Sequence, residues 1–336
     1  MNNHTSSLES SHFPVMLNEV LKITSPFNGG KYIDCTFGGG GYSKEILKIP
    51  KTEIAAIDRD KNIKSIAEEL ERKFPKRFKF YQIKFSQLDT IIEDHVDAII
   101  FDLGLSSIQL DNLERGFSFK SEKQLDMAMG LNNISALDAV NNLSETDLKS
   151  IIKFLGDEKE ATRIARNIVN SRKKKRITKT NQLVKIIEES KKKNFSKKIN
   201  PCTKTFQALR IFVNKEISEL INGIINATKK LKPGGKILVV TFHSIEDKIV
   251  KFFFNNYSKN KSRSSRYLPE NKIEQAYLFE AYKNKVLKPS KKELEINNRA
   301  RSAKLRFAIR SNTDFQYPHE LINKFKNYLE LESANV

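Results

Sequence analysis

Four consecutive glycines, residues 38–41, follow a short apolar run, and this feature constrains the fold more than any other. The apolar run begins at residue 31 and ends in the acid Asp34, and a helical pattern covers residues 43–47. A strand, a glycine-rich turn and a helix in this order open a nucleotide-binding α/β unit. Glycine suits such a turn because a ligand must approach bare backbone, and because the turn needs φ values that a Cβ forbids. The alternative is a tight turn that binds no ligand.

A second apolar run, residues 54–57, ends at Asp58 and favours the ligand-binding alternative. An acid that ends the second strand of such a unit can accept hydrogen bonds from both hydroxyls of a ribose. Gly38, Gly40 and Ser43 match the dinucleotide pattern G-x-G-x-x-G only in part, and no lysine follows the last glycine, as a phosphate-binding loop requires. A nucleoside without a pyrophosphate therefore fits best, and S-adenosylmethionine is such a molecule.

The charge and the cysteine content indicate a class of partner and a compartment. Lysine and arginine exceed aspartate and glutamate by 20 in a chain of 336 residues, which favours a polyanionic partner, nucleic acid first, over a merely basic surface. No apolar run approaches the roughly 18 residues of a membrane span. Residues 1–11 are polar, lack a signal-peptide core and are predicted to be disordered. Two cysteines are too few for a disulfide framework, so we expect a soluble, reducing, cytoplasmic setting.

The remaining patterns predict an α/β fold with a parallel sheet. Further strands are predicted over residues 78–83, 96–103 and 236–242, and a half-exposed strand near residue 306. Because ligands of open parallel sheets sit beyond the carboxyl ends of the strands, residues at those ends are the candidate site. Four such residues are Gly40, Asp58, Phe85 and Asp102.

Between residues 112 and 202 the pattern contains no strand, only polar loops and helical repeats. We therefore predict an all-helical domain at 112–202, inserted into a sheet domain formed by 12–111 and 203–336. A long helix over residues 203–231 returns the chain to the sheet. The charge runs 172–176 and 191–193 either contact nucleic acid or are solvated faces.

In this order, the motifs resemble those of the bacterial ribosomal RNA small-subunit methyltransferase H family, over about residues 12 to 310. The matching motifs are HFPVML at 12–17, YIDCTFGGGG at 32–41, AIDRD at 56–60, DLGLSS at 102–107, RGFSF at 115–119, LDM at 125–127, TFQALRI at 205–211, TFHS at 241–244 and RSAKLR at 301–306. Four positions depart from the family pattern, which usually has His at Tyr42, Pro at Ile108, Arg at Ala128 and Asp at Gly130.

The resemblance implies a Rossmann-like S-adenosylmethionine-dependent methyltransferase domain interrupted by a helical substrate domain. It implies methyl transfer to the exocyclic N4 amine of a cytidine in the decoding region of 16S ribosomal RNA, with the small ribosomal subunit as partner. The implied cofactor-binding residues are Gly40, Gly41, Tyr42, Asp58, Phe85, Asp102 and Gln109. The oligomeric state stays open, and a homodimer is one option.

Methylation of a cytosine amine requires a hydrogen-bond acceptor for its N–H, because the nitrogen lone pair is delocalised into the ring. Asp102 and Ser106 lie at the predicted end of the fourth strand, where amino-methyltransferases usually place that acceptor. Asp102 is the first candidate as the only carboxylate there. Ser107 is an alternative if Asp102 serves the cofactor, and His243, at the next strand end, is a further catalytic candidate.

Two other functions remain as alternatives. A cytosine C5 methyltransferase attacks through a cysteine, and Cys202 follows a proline as such nucleophiles often do, but it precedes a long helix instead of ending a strand. A non-catalytic RNA-binding or ribosome-assembly protein could retain the same fold, although the intact glycine turn argues against it. Five scattered histidines and no Cys/His cluster predict no metal site.

Overall fold

The computed structural model describes residues 14–91, 95–191, 200–259 and 277–336. Its centre is one six-stranded sheet, formed by β1 (Gly30–Asp34), β2 (Thr52–Ile57), β3 (Phe78–Tyr81), β4 (Val96–Asp102), β5 (Leu231–Thr241) and β6 (Lys304–Ile309). The strand order is β3-β2-β1-β4-β5-β6. The first five strands pair in parallel, and β6 pairs antiparallel with β5.

Thirteen α-helices are present among the described residues. They are α1 (Leu17–Thr24), α2 (Gly41–Leu47), α3 (Lys64–Lys73), α4 (Ser107–Asp111), α5 (Ala136–Asn142), α6 (Glu145–Gly156), α7 (Ala161–Lys174), α8 (Thr180–Ser190), α9 (Thr203–Asn214), α10 (Glu216–Lys230), α11 (Ser244–Asn256), α12 (Lys291–Ile296) and α13 (His319–Glu332). None of these helices has the length and apolar character needed to cross a membrane.

The sheet is covered on both faces, which explains why its strands read as continuous apolar runs. Successive residues of β1 point to opposite sides, so that Tyr32 joins one buried cluster and Ile33 the other. In β4, Ile99 and Ile100 divide in the same way, and both are fully buried. The predicted α/β fold class is confirmed.

The strand order reverses direction between β1 and β4, and this reversal determines where a ligand can bind. The chain moves outward from β1 to β2 and β3, and then returns to the other side of β1 with β4. The helices that follow β1 and β4 therefore start on opposite sides of the sheet, and a crevice opens between their starts. The glycine turn and Asp102 both lie at this crevice.

The region between β4 and α9 contains helices and loops but no strand among its described residues. One face of α7 is buried, with Ile164, Ala165 and Ile168 fully inaccessible to solvent. Its neighbour α6 packs against both α7 and α9. The boundaries of an inserted domain at 112 and 202 stay a prediction.

The single long helix predicted over residues 203–231 is wrong in one respect. The chain breaks at Lys215, whose φ of 51° is left-handed, and forms α9 and α10 as separate helices. The apolar stripe continues through this break, so helical periodicity alone could not reveal it. The break brings Arg210 at the end of α9 against Glu216 at the start of α10.

Two smaller expectations need comment. The pattern of residues 243–247 predicts Ser244 as the cap of α11, but the N-cap position is His243, and Ser244 is the first helical residue. The predictions for residues 1–11 and for 192–193 in the second charge run lie outside the described residues.

Candidate active site

A cavity of about 370 Å³ lies at the carboxyl ends of β1, β2 and β4. It brings together most of the predicted site residues, although these are far apart in the sequence. The predicted residues that line it are Gly41, Tyr42, Asp58, Phe85, Asp102, Ser106, Ser107 and Gln109. Gly40 and His243 do not line it.

The glycine turn forms one wall of the cavity, and its four glycines have different structural roles. Gly38, Gly39 and Gly41 line the cavity, and Gly38 has a left-handed φ of 50°. A Cβ at Gly39 would meet no protein atom within 4 Å, so this backbone is open to a ligand. Gly40 has a φ of 75°, and a Cβ there would approach the Phe37 ring to 2.8 Å. Gly40 is therefore required by the shape of the turn, and its neighbours present the binding surface.

Asp58 lies at the end of β2, where the sequence predicts a ribose-binding acid. One carboxylate oxygen accepts a hydrogen bond from the Gly38 N–H at 2.8 Å, and the other accepts one from the Asp60 N–H at 2.8 Å. Burial raises the pKa of Asp58 to about 6, against the opposing effect of these two N–H donors. The carboxylate is thus held rigidly at the cavity wall, and each oxygen keeps a lone pair for a further donor.

Asp102 ends β4 and lines the same cavity, and one of its carboxyl oxygens is buried without a hydrogen-bond partner. Burial, followed by the nearby charge of Asp34, raises the pKa of Asp102 to about 8. Asp34 itself is engaged, since it accepts hydrogen bonds from the Ser43 hydroxyl at 2.7 Å and from the Thr36 N–H. An unpartnered acid oxygen in a cavity is a group that awaits a donor or a cation.

The Tyr42 side chain packs against the segment before α1 and also lies beside Asp102, whose pKa it lowers. Its hydroxyl donates a hydrogen bond to the Val15 carbonyl, and the side chain is only 3% exposed. The neighbouring Met16 N–H donates to Glu293 at 2.6 Å, so the first described segment is anchored on two sides. Pro14 and Val15 line the cavity beside Gly41. The family departure at Tyr42 thus fixes the segment that covers the glycine turn.

Ser106 and Gln109 form the start of α4. The Ser106 hydroxyl accepts from the Gln109 N–H, while the Gln109 side-chain oxygen accepts from the Ser106 N–H. The Gln109 amide nitrogen donates to Asp60 at 2.9 Å. Ser106 therefore caps a helix, and the Gln109 amide is engaged on both sides by the protein. The predicted roles of these two residues in binding and catalysis stay predictions.

Phe85 lines the cavity below the end of β3 and is held by close packing. Its ring makes an edge-to-face contact with Phe101, with 5.5 Å between ring centroids. On α10, a Cβ at Gly223 would approach the Phe85 ring to 2.6 Å, so the helix can pass at this distance only with glycine there. This aromatic face is positioned to stack on a planar ring.

A second wall of the cavity consists of charged residues that the sequence prediction missed. Arg210 on α9 donates two hydrogen bonds to Glu216 on α10, at 2.7 and 2.8 Å. Glu246, on the first turn of α11, accepts from the N–H groups of Phe242 and His243. Arg210, Glu216 and Glu246 all line the cavity. Arg210 lies in the TFQALRI motif, which assigned no role to it, and Glu216 and Glu246 lie inside ordinary helical patterns.

His243 lies behind Glu246 with a side chain that is 7% exposed. Its Nε2 is 3.1 Å from a Glu246 oxygen but is not aligned for a hydrogen bond. Burial would raise the pKa of Glu246, but the charges of His243 and Arg210, with the backbone donors, hold that pKa below its usual range. Glu246 is therefore a carboxylate at neutral pH. His243 stays a candidate for catalysis, but Glu246 lines the cavity and His243 does not.

The loop after the LDM motif is tied to β2 through Arg59. The Arg59 guanidinium donates to the carbonyls of Gly130 and Asn214 and to the Asn132 side chain, at 2.7 to 3.0 Å. Gly130 has a φ of 123°, and a Cβ there would be 2.3 Å from the Arg59 carbonyl oxygen. The backbone in this chain therefore excludes the aspartate that the family usually has at this position.

Two sequence alternatives look different in the structure. Within the charge run 172–176, Arg172 donates to the carbonyls of Val140 and Leu143, so its guanidinium stabilises the helical region, while the next four residues are exposed. Cys202 is fully buried at the start of α9, does not line the cavity, and burial raises its pKa to about 12. A buried thiol of this kind is a poor nucleophile.

Comparison with known proteins gives consistent matches. The model of the MraW methylase family matches residues 9–311. The ribosomal RNA small subunit methyltransferase H of Bartonella grahamii is 44% identical over 303 residues, which cover 90% of each chain. That of Ehrlichia canis is 42% identical over 304 residues, 89% of this chain and 99% of the relative. An rRNA methylase structure from Streptococcus thermophilus, covering 87% of this chain and 95% of its own, has 9% identity and a TM-score of 0.38, too distant to support an argument.

Proposed function

Because this chain belongs to the MraW methylase family, we propose that it transfers a methyl group from S-adenosylmethionine to the exocyclic N4 amine of a cytidine in the decoding region of 16S ribosomal RNA. The observation that carries the proposal is the buried, unpartnered oxygen of Asp102, in the same cavity as the glycine turn and Asp58. The names of the relatives, which are small-subunit ribosomal RNA methyltransferases, support the class of substrate.

The cofactor would bind between the glycine turn and Phe85. The backbone of Gly39 leaves room for it, Asp58 would accept hydrogen bonds from its ribose hydroxyls, and the Phe85 ring would stack on its base. The acids Asp58 and Asp102 suit a ligand with a sulfonium charge. Gly40, Tyr42 and Gln109 would act indirectly, by shaping the turn, the covering segment and α4.

S-adenosylmethionine would supply a methyl group bound to a sulfonium. The sulfur is a leaving group that needs no proton from an acid. The protein must then align the amine and draw electron density toward it. Asp102 would do this in our proposal by accepting a hydrogen bond from the N4–H through its carboxylate. It would take the N4 proton as the nitrogen–carbon bond forms and the carbon–sulfur bond breaks. Only the ionised form is a strong acceptor, and with a pKa of about 8 Asp102 is partly protonated at neutral pH in the free protein. A bound cation would favour the ionised form.

Ser106, Ser107 and His243 would have supporting roles. The Ser106 hydroxyl already accepts the Gln109 N–H, so its proton remains available for a contact with the substrate or with Asp102. Ser107 lines the cavity one residue later. His243 would act through Glu246, whose carboxylate separates it from the cavity.

The partner that we propose is 16S ribosomal RNA in the small ribosomal subunit, and the compartment is the cytoplasm, where ribosomes are assembled. The excess of 20 positive charges supports a polyanionic partner. The exposed residues 173–176 are candidates for phosphate contacts. A homodimer stays an open possibility for the oligomeric state.

Transfer of a radiolabelled methyl group tests the proposal. The protein is incubated with labelled S-adenosylmethionine and with either small or large ribosomal subunits that lack modifications. We expect label in the RNA of small subunits only. A protein that binds small subunits but neither binds the cofactor nor transfers label would instead be a non-catalytic assembly factor.

A further inference from the structure

The charged wall of the cavity, defined as Arg210, Glu216 and Glu246, has no role in holding the cofactor as described above. These three residues line the same cavity as the glycine turn and Asp102, and the Glu246 charge contributes to the raised pKa of Asp102. Arg210 in turn lies close enough to Glu246 for their charges to interact. Asp102, Glu246 and Arg210 therefore line one cavity, and their charges interact.

Arg210 is held as a rigid donor. Its Nε and one terminal nitrogen bind the two Glu216 oxygens, a bidentate geometry that fixes the plane of the guanidinium. The other terminal nitrogen, Nη1, makes no hydrogen bond with the described residues and is not enclosed by protein. An arginine in this arrangement presents one oriented N–H pair to a ligand in the cavity.

Glu216, His243 and Glu246 also place three potential metal-binding atoms within 4.8 Å of one another. The two hydrogen bonds from Arg210, however, already neutralise Glu216 and occupy both of its oxygens. A divalent cation would have to compete with a guanidinium that is charged at every accessible pH. The charges of the cluster thus fit a neutral ligand with both donors and acceptors better than a metal ion.

We propose that Arg210, fixed by Glu216, and Glu246 read the Watson–Crick edge of the target cytosine. This inference rests on the proposed function and adds a base-recognition subsite to it. The cytosine edge has an N4 amine, then the N3 acceptor, then the O2 acceptor. The amine faces Asp102 and Glu246, and N3 and O2 face Arg210, so that each donor meets an acceptor.

Uracil reverses this pattern at two of the three positions. Its O4 would face the carboxylates of Asp102 and Glu246, and its N3–H would face the Arg210 guanidinium. The first contact would place an acceptor against acceptors, and the second would place a donor against a donor. In a buried site such unpaired polar groups are costly in free energy. The charged wall therefore selects cytosine over uracil before any chemistry occurs.

An NMR titration with free nucleosides tests the subsite without turnover. The protein is first saturated with S-adenosylhomocysteine, and the titration measures nucleoside binding. We expect cytidine to bind the wild type at least about tenfold more tightly than uridine, since one good edge contact discriminates by that order. Glu246→Gln and Arg210→Lys should reduce this preference to within about threefold, because glutamine can donate to O4 and lysine cannot present the oriented pair. Their affinity for S-adenosylhomocysteine should stay within about twofold of the wild type.

Asp247→Asn and Arg306→Lys are matched controls, because Arg306 donates to Asp247 at 2.7 Å in a second buried ion pair that does not line the cavity. Both controls should keep the preference for cytidine. A ligand-side test needs no variant: 3-deazacytidine, which lacks the N3 acceptor, should bind the wild type about tenfold more weakly than cytidine.

Equal binding of cytidine and uridine by the wild type, an unchanged preference in both cavity variants, or undiminished binding of 3-deazacytidine would overturn the subsite. The proposed function is judged separately, by methyl transfer to small-subunit RNA. If the wild type methylates cytidine in small-subunit RNA but fails these nucleoside tests, only the proposed role of the charged wall is rejected, and the proposed function stands.

Discussion

The two walls of the cavity differ in how the chain builds them. The glycine-turn wall comes from one continuous segment, residues 34–58, in which strand ends place Asp34, the glycines and Asp58 directly. The charged wall joins α9, α10 and the start of α11, and it depends on the break at Lys215 that turns Arg210 toward Glu216. The first wall is a local motif, and the second exists only after the helices have packed.

This contrast suggests a division of labour. A cofactor common to many enzymes can be held by a short motif that recurs on one type of fold. A particular substrate needs groups at positions that only the complete fold brings together. Asp102, at the end of β4, lines the same cavity as both walls. Mutations on the two walls should therefore separate cofactor binding from substrate recognition.

The largest expected effect is the loss of turnover when Asp102 is replaced. Asp102→Asn keeps the shape but weakens the acceptor, so turnover should fall by about 10²–10⁴-fold, the usual range for such a group. In the wild type, kcat/KM for the cofactor should rise with pH and level off above about 8, because Asp102 must lose its proton to accept a hydrogen bond. The variant should show no such rise.

Asp97→Asn is the control for this prediction, since Asp97 is at the amino end of the same strand and binds the Lys31 N–H at 2.9 Å. It should keep both the rate and the pH profile. Single-turnover methylation at saturating cofactor is the measurement. A near-normal rate for Asp102→Asn would move the acceptor to Ser106 or His243.

The second prediction concerns cofactor affinity and tests the glycine-turn wall alone. Asp58→Ala should weaken S-adenosylmethionine binding by about 1–3 kcal/mol, the scale of losing charge-assisted hydrogen bonds. The preference for cytidine over uridine should be unchanged, because the charged wall is intact. Calorimetry on the folded variant measures the affinity, and an unchanged value would exclude Asp58 from the site.

Two adjacent glycines separate folding from binding within the same wall. Gly40→Ala should lower the free energy of unfolding by about 1–3 kcal/mol, because φ is 75° and the Cβ meets the Phe37 ring. Gly39→Ala should leave stability within about 1 kcal/mol, since its Cβ meets no protein atom, yet weaken cofactor binding. Thermal unfolding and calorimetry on both variants give the comparison. Equal stability losses would contradict the described turn geometry.

The smallest effect concerns residues far from both walls. Reversing the exposed charges of Lys173, Lys174 and Lys175 should flatten the dependence of RNA affinity on salt concentration, by roughly 0.7 in slope for each phosphate that the protein no longer neutralises. Arg172→Ala should instead destabilise the helical region, because the guanidinium that binds two backbone carbonyls is removed. Identical salt slopes for the wild type and the reversal would mean that this run is only a solvated face.

The sequence was sufficient for the family, the fold class and the glycine-turn wall because those signals are local. The resemblance to the methyltransferase H family is confirmed, as is the α/β fold. The charged wall was missed because the conformation at Lys215 has no signal in its residue type. The partner of the Tyr42 hydroxyl, Val15, is 27 residues away, and no periodicity predicts such a contact.

The most direct measurement identifies the nucleoside that carries the methyl group. Small-subunit RNA, methylated by the wild-type protein with isotope-labelled cofactor, is digested to nucleosides and analysed by mass spectrometry with authentic standards. Our account predicts label in N4-methylcytidine, at a single position in the decoding region. Label in 5-methylcytidine or in a ribose 2′-O-methyl group would contradict it, because neither product uses an acceptor at Asp102 for an exocyclic amine.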